Sequence, residues 1–268
     1  MLSARSYARQ KYGKEILFTA NGLFPYVDYN SLGMYNYNTD DDGREADYVP
    51  VTSDGHLNGS KSLKPVFKKV LARHREVAGD VPLLVFIDWP GGMINAYYAL
   101  PTSEKKDLWQ IYVPEAYALG MRYAFHLRTC LSSDPTATAS GVLDFMTSYS
   151  AFYKNNRDLY SQVSESTVTA DVGVANVEAT SMDQPSRSRT LLHLVNHNYD
   201  KGILPQSNVK VSVSSTDDPV SITCISPDAS APSSVAFTRV GGRIEMVLDS
   251  ITYYDVLAIA WSSRFASD

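Results

Sequence analysis

The chain reads as an α/β unit followed by an all-β unit. Over residues 1–165, short buried apolar runs alternate with amphipathic stretches long enough for helices. That rhythm belongs to strands joined by helical crossovers into a parallel sheet. Over residues 166–268 the hydrophobic period falls to two, in short runs separated by Gly, Pro, Asn, Asp and Ser clusters. That is the pattern of an antiparallel β-sandwich. The second unit is expected to pack on the last helix of the first.

The elements follow in order. Residues 3–12 read as the tail of a helix, stopped at Gly13, where a left-handed cap costs little. Residues 15–20 (EILFTA) form a first buried strand, with Asn21-Gly22 at its end. Residues 32–38 (LGMYNYN) form a second, running into the turn chemistry of Asp40-Asp41-Asp42-Gly43. A helix over 63–78 puts Leu63, Val66, Phe67, Val70 and Leu71 on one face, and Gly79 stops it. Residues 81–88 (VPLLVFID) are the clearest strand, a continuous apolar run of the kind buried in parallel sheets. A helix over 104–119 ends at Gly120, residues 122–127 (RYAFHL) make a fourth strand, and 142–160 make a last amphipathic helix. Beyond it, short strands are expected at 191–196, 209–213, 221–225, 235–238, 243–247 and 254–260.

Composition excludes some functions. Hydrophobic residues at 44% and charged residues at 20% suit a globular domain with a substantial core. The formal net charge of −5 argues against nucleic acid and against an anionic membrane surface, because both select basic proteins. No run approaches the ~18 apolar residues of a membrane span. The 18 Tyr, 9 Phe and 3 Trp suit sugar contacts, but core packing is the reading the composition favours. Cys130 and Cys224 lie far apart, with no CxxC, metal spacing or disulfide framework, and read as free, partly buried thiols. No metal and no cofactor are expected; phosphate loops, dinucleotide fingerprints and Ser-His-Asp elbows are lacking.

Two stretches carry a family resemblance. The sequence RTLLHLVNHN at residues 189–198, Pro205, NVKVSV at 208–213 and the strand around Asp255-Val256-Leu257-Ala258 resemble the β-sandwich behind many glycoside hydrolase barrels. LFTANG, the segment from Asp28 to Asp42, LLVFIDW and RYAFHL resemble strands five to eight of such a barrel, and SAFYKNNRDLY its closing helix. The dextranase and cyclodextran glucanotransferase family is the relative these motifs suggest. The resemblance implies the C-terminal half of a TIM-type (β/α) barrel followed by an antiparallel β-sandwich, and a carbohydrate partner. It also favours an extracellular over a cytoplasmic location. In that family the nucleophilic carboxylate lies on an earlier strand with no counterpart here. The family's acid falls near the end of the second strand, which points to Asp40.

Paired carboxylates are what glycoside hydrolysis needs, one protonated and one ionised, around an oxocarbenium-like transition state. In a barrel such groups project from the C-terminal ends of strands. Asp40 and Asp88 are therefore the catalytic candidates. Trp89 can stack on a sugar face, and Asn21, His126 and Arg128 end strands where sugar hydroxyls would be met. Each has a plainer alternative: Asp88 in a tight turn, the Asp40 run as a solvated turn, His126 as a structural histidine. Glu115, in mid-helix, reads as a helix or interface carboxylate, and His193 and His197 as structural residues.

Two functions remain open. One is a glycosidase or transglycosylase whose barrel is completed by the missing N-terminal half, a companion chain or self-association. The other is a non-catalytic carbohydrate-binding or structural scaffold derived from such an enzyme. Four strands cannot close a barrel, and the first, EILFTA, is too apolar for a solvent-facing edge.

Overall fold

The computed structural model describes residues 2–21, 25, 27–33, 50–86, 97–124, 136 and 138–265. Three sheets and four α-helices make up the described fold. Helix α1 (Leu2–Tyr12) opens the chain, followed by β1 (Thr19–Asn21) and β2 (Tyr29–Gly33). Then come α2 (Lys64–Ala78), β3 (Leu83–Phe86), α3 (Lys105–Ala118), β4 (Arg122–Ala124) and α4 (Val142–Asn155). The strands β1 to β4 form one sheet in the order β1-β2-β3-β4, and every pair is parallel.

Local chemistry sets the element ends. The N–H of Gly79, at φ +62°, closes α2 by donating to Arg75 O at 3.0 Å, a conformation that Cβ-bearing residues resist. Gly141, at φ +72°, starts α4. The stretch read as one helix to Tyr160 breaks at Asn156, whose Nδ2 donates to Phe152 O at 2.9 Å, and a 3-10 turn, Arg157–Tyr160, follows. The expected first strand also shifts: β1 covers only Thr19–Asn21, and the Asp28 carboxylate instead accepts the Phe18 N–H at 2.6 Å.

Ten further strands form two antiparallel sheets. One has the order β11 (Ser233–Ser234), β10 (Pro219–Ile225), β14 (Tyr254–Trp261), β8 (Arg189–Asn196), β7 (Val177–Gln184) and β5 (Ser164–Glu165). The other has β12 (Phe237–Val240), β13 (Arg243–Ile251), β9 (Gln206–Ser214) and β6 (Ala170–Val172).

The two sheets share an apolar core. Val209, Val211 and Val213 of β9, with Ile244, Met246 and Leu248 of β13, meet Leu192, Leu194, Leu257 and Ile259 of β8 and β14. Over residues 209–213 of β9 and 244–248 of β13, buried residues alternate with outward-facing ones such as Lys210 and Glu245, because the other face is open to solvent. The opposite faces of β8 and β14 are also buried. Leu191, Val195, Val256 and Ala258 join a second core with Phe67 of α2, Trp109 and Tyr112 of α3 and Phe145 and Tyr149 of α4. Burial on both faces accounts for the near-continuous apolar runs LLHLV and VLAIA.

Rings join α4 to this sheet, with Phe145 6.1 Å from Tyr253 and Phe152 6.5 Å from Tyr254. Helix α3 packs on the same face of the sheet as well. Among the described residues, the tyrosines largely serve packing: Tyr117 sits 5.1 Å from Tyr160 and 5.7 Å from Tyr149, ring to ring. Among the described residues no helix is long and apolar enough to cross a membrane.

Candidate functional site

Parallel pairing gives the first sheet one C-terminal edge. Gly33 pairs with Phe86 and Phe86 with Ala124, so the last residues of β2, β3 and β4 lie level. Asn21, the last residue of β1, pairs with Ser31. Chain leaving this edge leads to every site residue expected from sequence. Asn21 ends its strand there. Asp40, Asp88, Trp89, His126 and Arg128 lie outside the described residues, as does Cys130.

Polar side chains that sequence reasoning missed tie together the segments behind this edge. Glu104, only 2% exposed, lies at the start of α3. Its carboxylate accepts the Leu57 N–H at 2.7 Å, and its other oxygen lies 2.7 Å from His56 Nδ1. This links the chain after β2 to the chain after β3. Lys105, also buried, donates to Thr136 Oγ1 at 2.9 Å and lies 5.2 Å from the centre of the Tyr97 ring. It thus links the chain after β3 to the chain after β4. Asp107 accepts the Tyr199 hydroxyl at 3.3 Å, and burial lifts its carboxyl to about 6 against the pull of Lys106. The one sequence signal was two acids three apart in the first turn after Thr102-Ser103, a pattern also expected of ordinary helix starts.

A second group lies deeper, between α3 and the six-stranded sheet. Glu115 accepts Ser62 Oγ–H at 2.7 Å and the Leu63 N–H at 3.0 Å, fastening the start of α2. Its Oε1 lies 3.0 Å from His197 Nε2. The other ring nitrogen, His197 Nδ1, is 2.9 Å from Gly59 O. Glu178 of β7 stands 3.6 Å from the Lys64 ammonium, which donates to Ala179 O at 2.7 Å. Burial raises the Glu115 carboxyl despite His197 beside it. Burial works to lower His197, but the Glu115 carboxylate prevails and its basicity rises. Glu115 is thus an interface carboxylate, as its place in mid-helix indicated.

His193 is buried apart from this group. Its Nδ1 is 2.8 Å from the Tyr254 hydroxyl, which lies 3.1 Å from that of Tyr160. Burial, with Lys64 adding, drops it to about 3, so it stays neutral among stacked rings. The Cys224 thiol is free and partly buried, and burial pushes it up to about 12, far from a working nucleophile.

No family model matches the chain. No curated protein matches it. Among solved structures, the alpha-amylase from H. orenii is similar at 10% identity and a TM-score of 0.45, over 96% of this chain and 56% of that one. The Thermotoga maritima alpha-fucosidase, solved in complex with fucose, is similar at 9% identity and a TM-score of 0.37, over 87% of this chain and 64% of that one. Alpha-L-fucosidase isoenzyme 2 from Paenibacillus thiaminolyticus is similar at 14% identity and a TM-score of 0.29, over 48% of this chain and 19% of that one. The chain spans less than two thirds of the length of each.

Proposed function

We propose that this chain is part of a glycoside hydrolase-like protein acting on a polysaccharide or oligosaccharide. Residues 1–165 would supply four strand-helix units of a (β/α) barrel, and residues 166–268 a β-sandwich packed behind them. The observation that carries this reading is strand order: four parallel strands follow one another as β1-β2-β3-β4 without reversal. Doubly wound sheets reverse direction at a switch point, whereas a barrel winds one way and gathers its chemistry at the C-terminal strand ends.

On this reading Asp40 and Asp88 are the carboxyl pair, one donating a proton to the departing glycosidic oxygen and the other acting as nucleophile or base. Asn21, Trp89, His126 and Arg128 bind the sugar. The outer strands β1 and β4 would find their neighbours in an N-terminal barrel half, a companion chain or a second copy of this chain. The location consistent with a polysaccharide substrate is extracellular.

Release of reducing ends from a panel of soluble polysaccharides by the intact chain tests the proposal. Release that disappears in Asp40→Asn and Asp88→Asn, with circular dichroism unchanged, supports it. Saturable glycan binding without release, unaffected by either substitution, supports the scaffold alternative. Neither binding nor release, alone or with a co-expressed partner, defeats both.

A further inference from the structure

The proposed hydrolysis makes no use of the buried group formed by Glu115 on α3, Glu178 on β7 and His197 just after β8. One ligand-capable atom from each of these residues lies within 4.8 Å of the other two. Their elements are distant in sequence, so no spacing motif announces them.

The His197 ring is oriented by its surroundings. A carbonyl can only accept, so the 2.9 Å contact with Gly59 O places the hydrogen on Nδ1. In the neutral ring, Nε2 then presents its lone pair, the arrangement found where a backbone carbonyl fixes a metal-binding histidine. That Nε2 is buried and makes no aligned hydrogen bond, although Glu115 Oε1 stands 3.0 Å away. Two acceptors at this distance need positive charge between them, either a proton shared by the pair or a metal cation that displaces it. In a four-coordinate zinc site with bonds of about 2.1 Å, neighbouring ligand atoms stand about 3.4 Å apart, so the pair, now at 3.0 Å, needs to open by only a few tenths of an ångström to admit the ion.

The surroundings fit a cation as well. The Glu115 and His197 side chains are 0% and 4% exposed, so ions held there are poorly screened. Glu115 is held in place by Ser62 and Leu63. Glu178 is 26% exposed, so one member of the group is in contact with solvent.

We propose that Glu115, Glu178 and His197 bind a divalent transition-metal cation, zinc by preference, that staples α3 to the six-stranded sheet. One nitrogen and two carboxylate oxygens suit zinc, and water completes the usual four ligands. Lys64 is the competitor, since its ammonium faces Glu178 from 3.6 Å. It already donates to Ala179 O and can stay there once a cation takes the carboxylate.

The test uses the intact chain, stripped with a chelator and dialysed against zinc chloride, with cobalt(II) absorption as a spectroscopic check. The proposal expects saturable uptake of one ion per chain and a rise in melting temperature with zinc. Glu178→Gln, at a half-buried position, should weaken uptake by about tenfold or more with circular dichroism unchanged, and Lys64→Met should strengthen it. His197→Gln should abolish the cobalt(II) signal. Uptake equal in wild type, Glu178→Gln and His197→Gln would place the ion elsewhere and overturn the proposal, as would no saturable uptake by the wild type.

Discussion

Replacing Asp255 with an asparagine should stabilise the protein at alkaline pH and remove a pH dependence that the wild type shows. Asp255 lies on β14, paired with Leu194 of β8, and is 4% exposed. Burial, reinforced by the charge of Asp228 and opposed by a bond from Ser226, lifts its carboxyl from 3.8 to about 7. The folded state therefore holds a proton that the unfolded chain releases. Stability falls as pH rises from about 4 to about 7, and the deficit is complete above that window. At about 1.4 kcal/mol per pH unit, a gap of this size is worth about 4 kcal/mol.

The Asp255→Asn variant removes that cost, because an amide never ionises. Urea unfolding at about pH 4 and about pH 8 reads the effect, since both forms share the pH dependence of every other group. The stability of the variant relative to wild type should improve by roughly 2–4 kcal/mol between the two conditions. A difference that stays flat with pH would refute the assignment of a raised carboxyl to this position.

Two further substitutions probe packing. A Cβ on Gly59 would lie 2.4 Å from Tyr199 Cγ and 2.9 Å from Ile111 Cδ1, so Gly59→Ala should cost about 1–3 kcal/mol in urea denaturation. Adding Tyr199→Ala should recover much of that loss, and strict additivity of the two would rule out the clash. Leu257, fully buried between the antiparallel sheets, should cost about 2–5 kcal/mol on truncation to Ala. Val247→Ala on the exposed face of β13 should change stability by less than about 0.5 kcal/mol.

How far the sequence revealed the fold varies from element to element. Strand β3 was plain because LLVF is a continuous apolar run, and β9 and β13 because one face is core and the other solvent. Strand β7 (VEATSMDQ) escaped notice: its buried residues include Thr180, Asp183 and Gln184, and the last two are satisfied by polar contacts rather than by apolar bulk. Asp183, for example, accepts the hydroxyls of Ser166 and Thr190. The helix expected to reach Tyr160 hid its break because Asn156 caps locally within an apolar pattern. The deeper polar group was illegible for a different reason. His197 and Gly59 are 138 positions apart, and only the packing of α3 on the second sheet brings them together. By contrast, the strand ends that lead to the site candidates could be placed from chain direction alone.

The separation of the Asp40 and Asp88 carboxyl groups in a crystal structure tests the proposed chemistry most directly. The account predicts them ~5–10 Å apart on one cleft above the edge formed by Gly33, Phe86 and Ala124, the spacing of glycoside-cleaving pairs. Carboxyl groups on opposite edges of the sheet, or too far apart to flank one glycosidic bond, would contradict it.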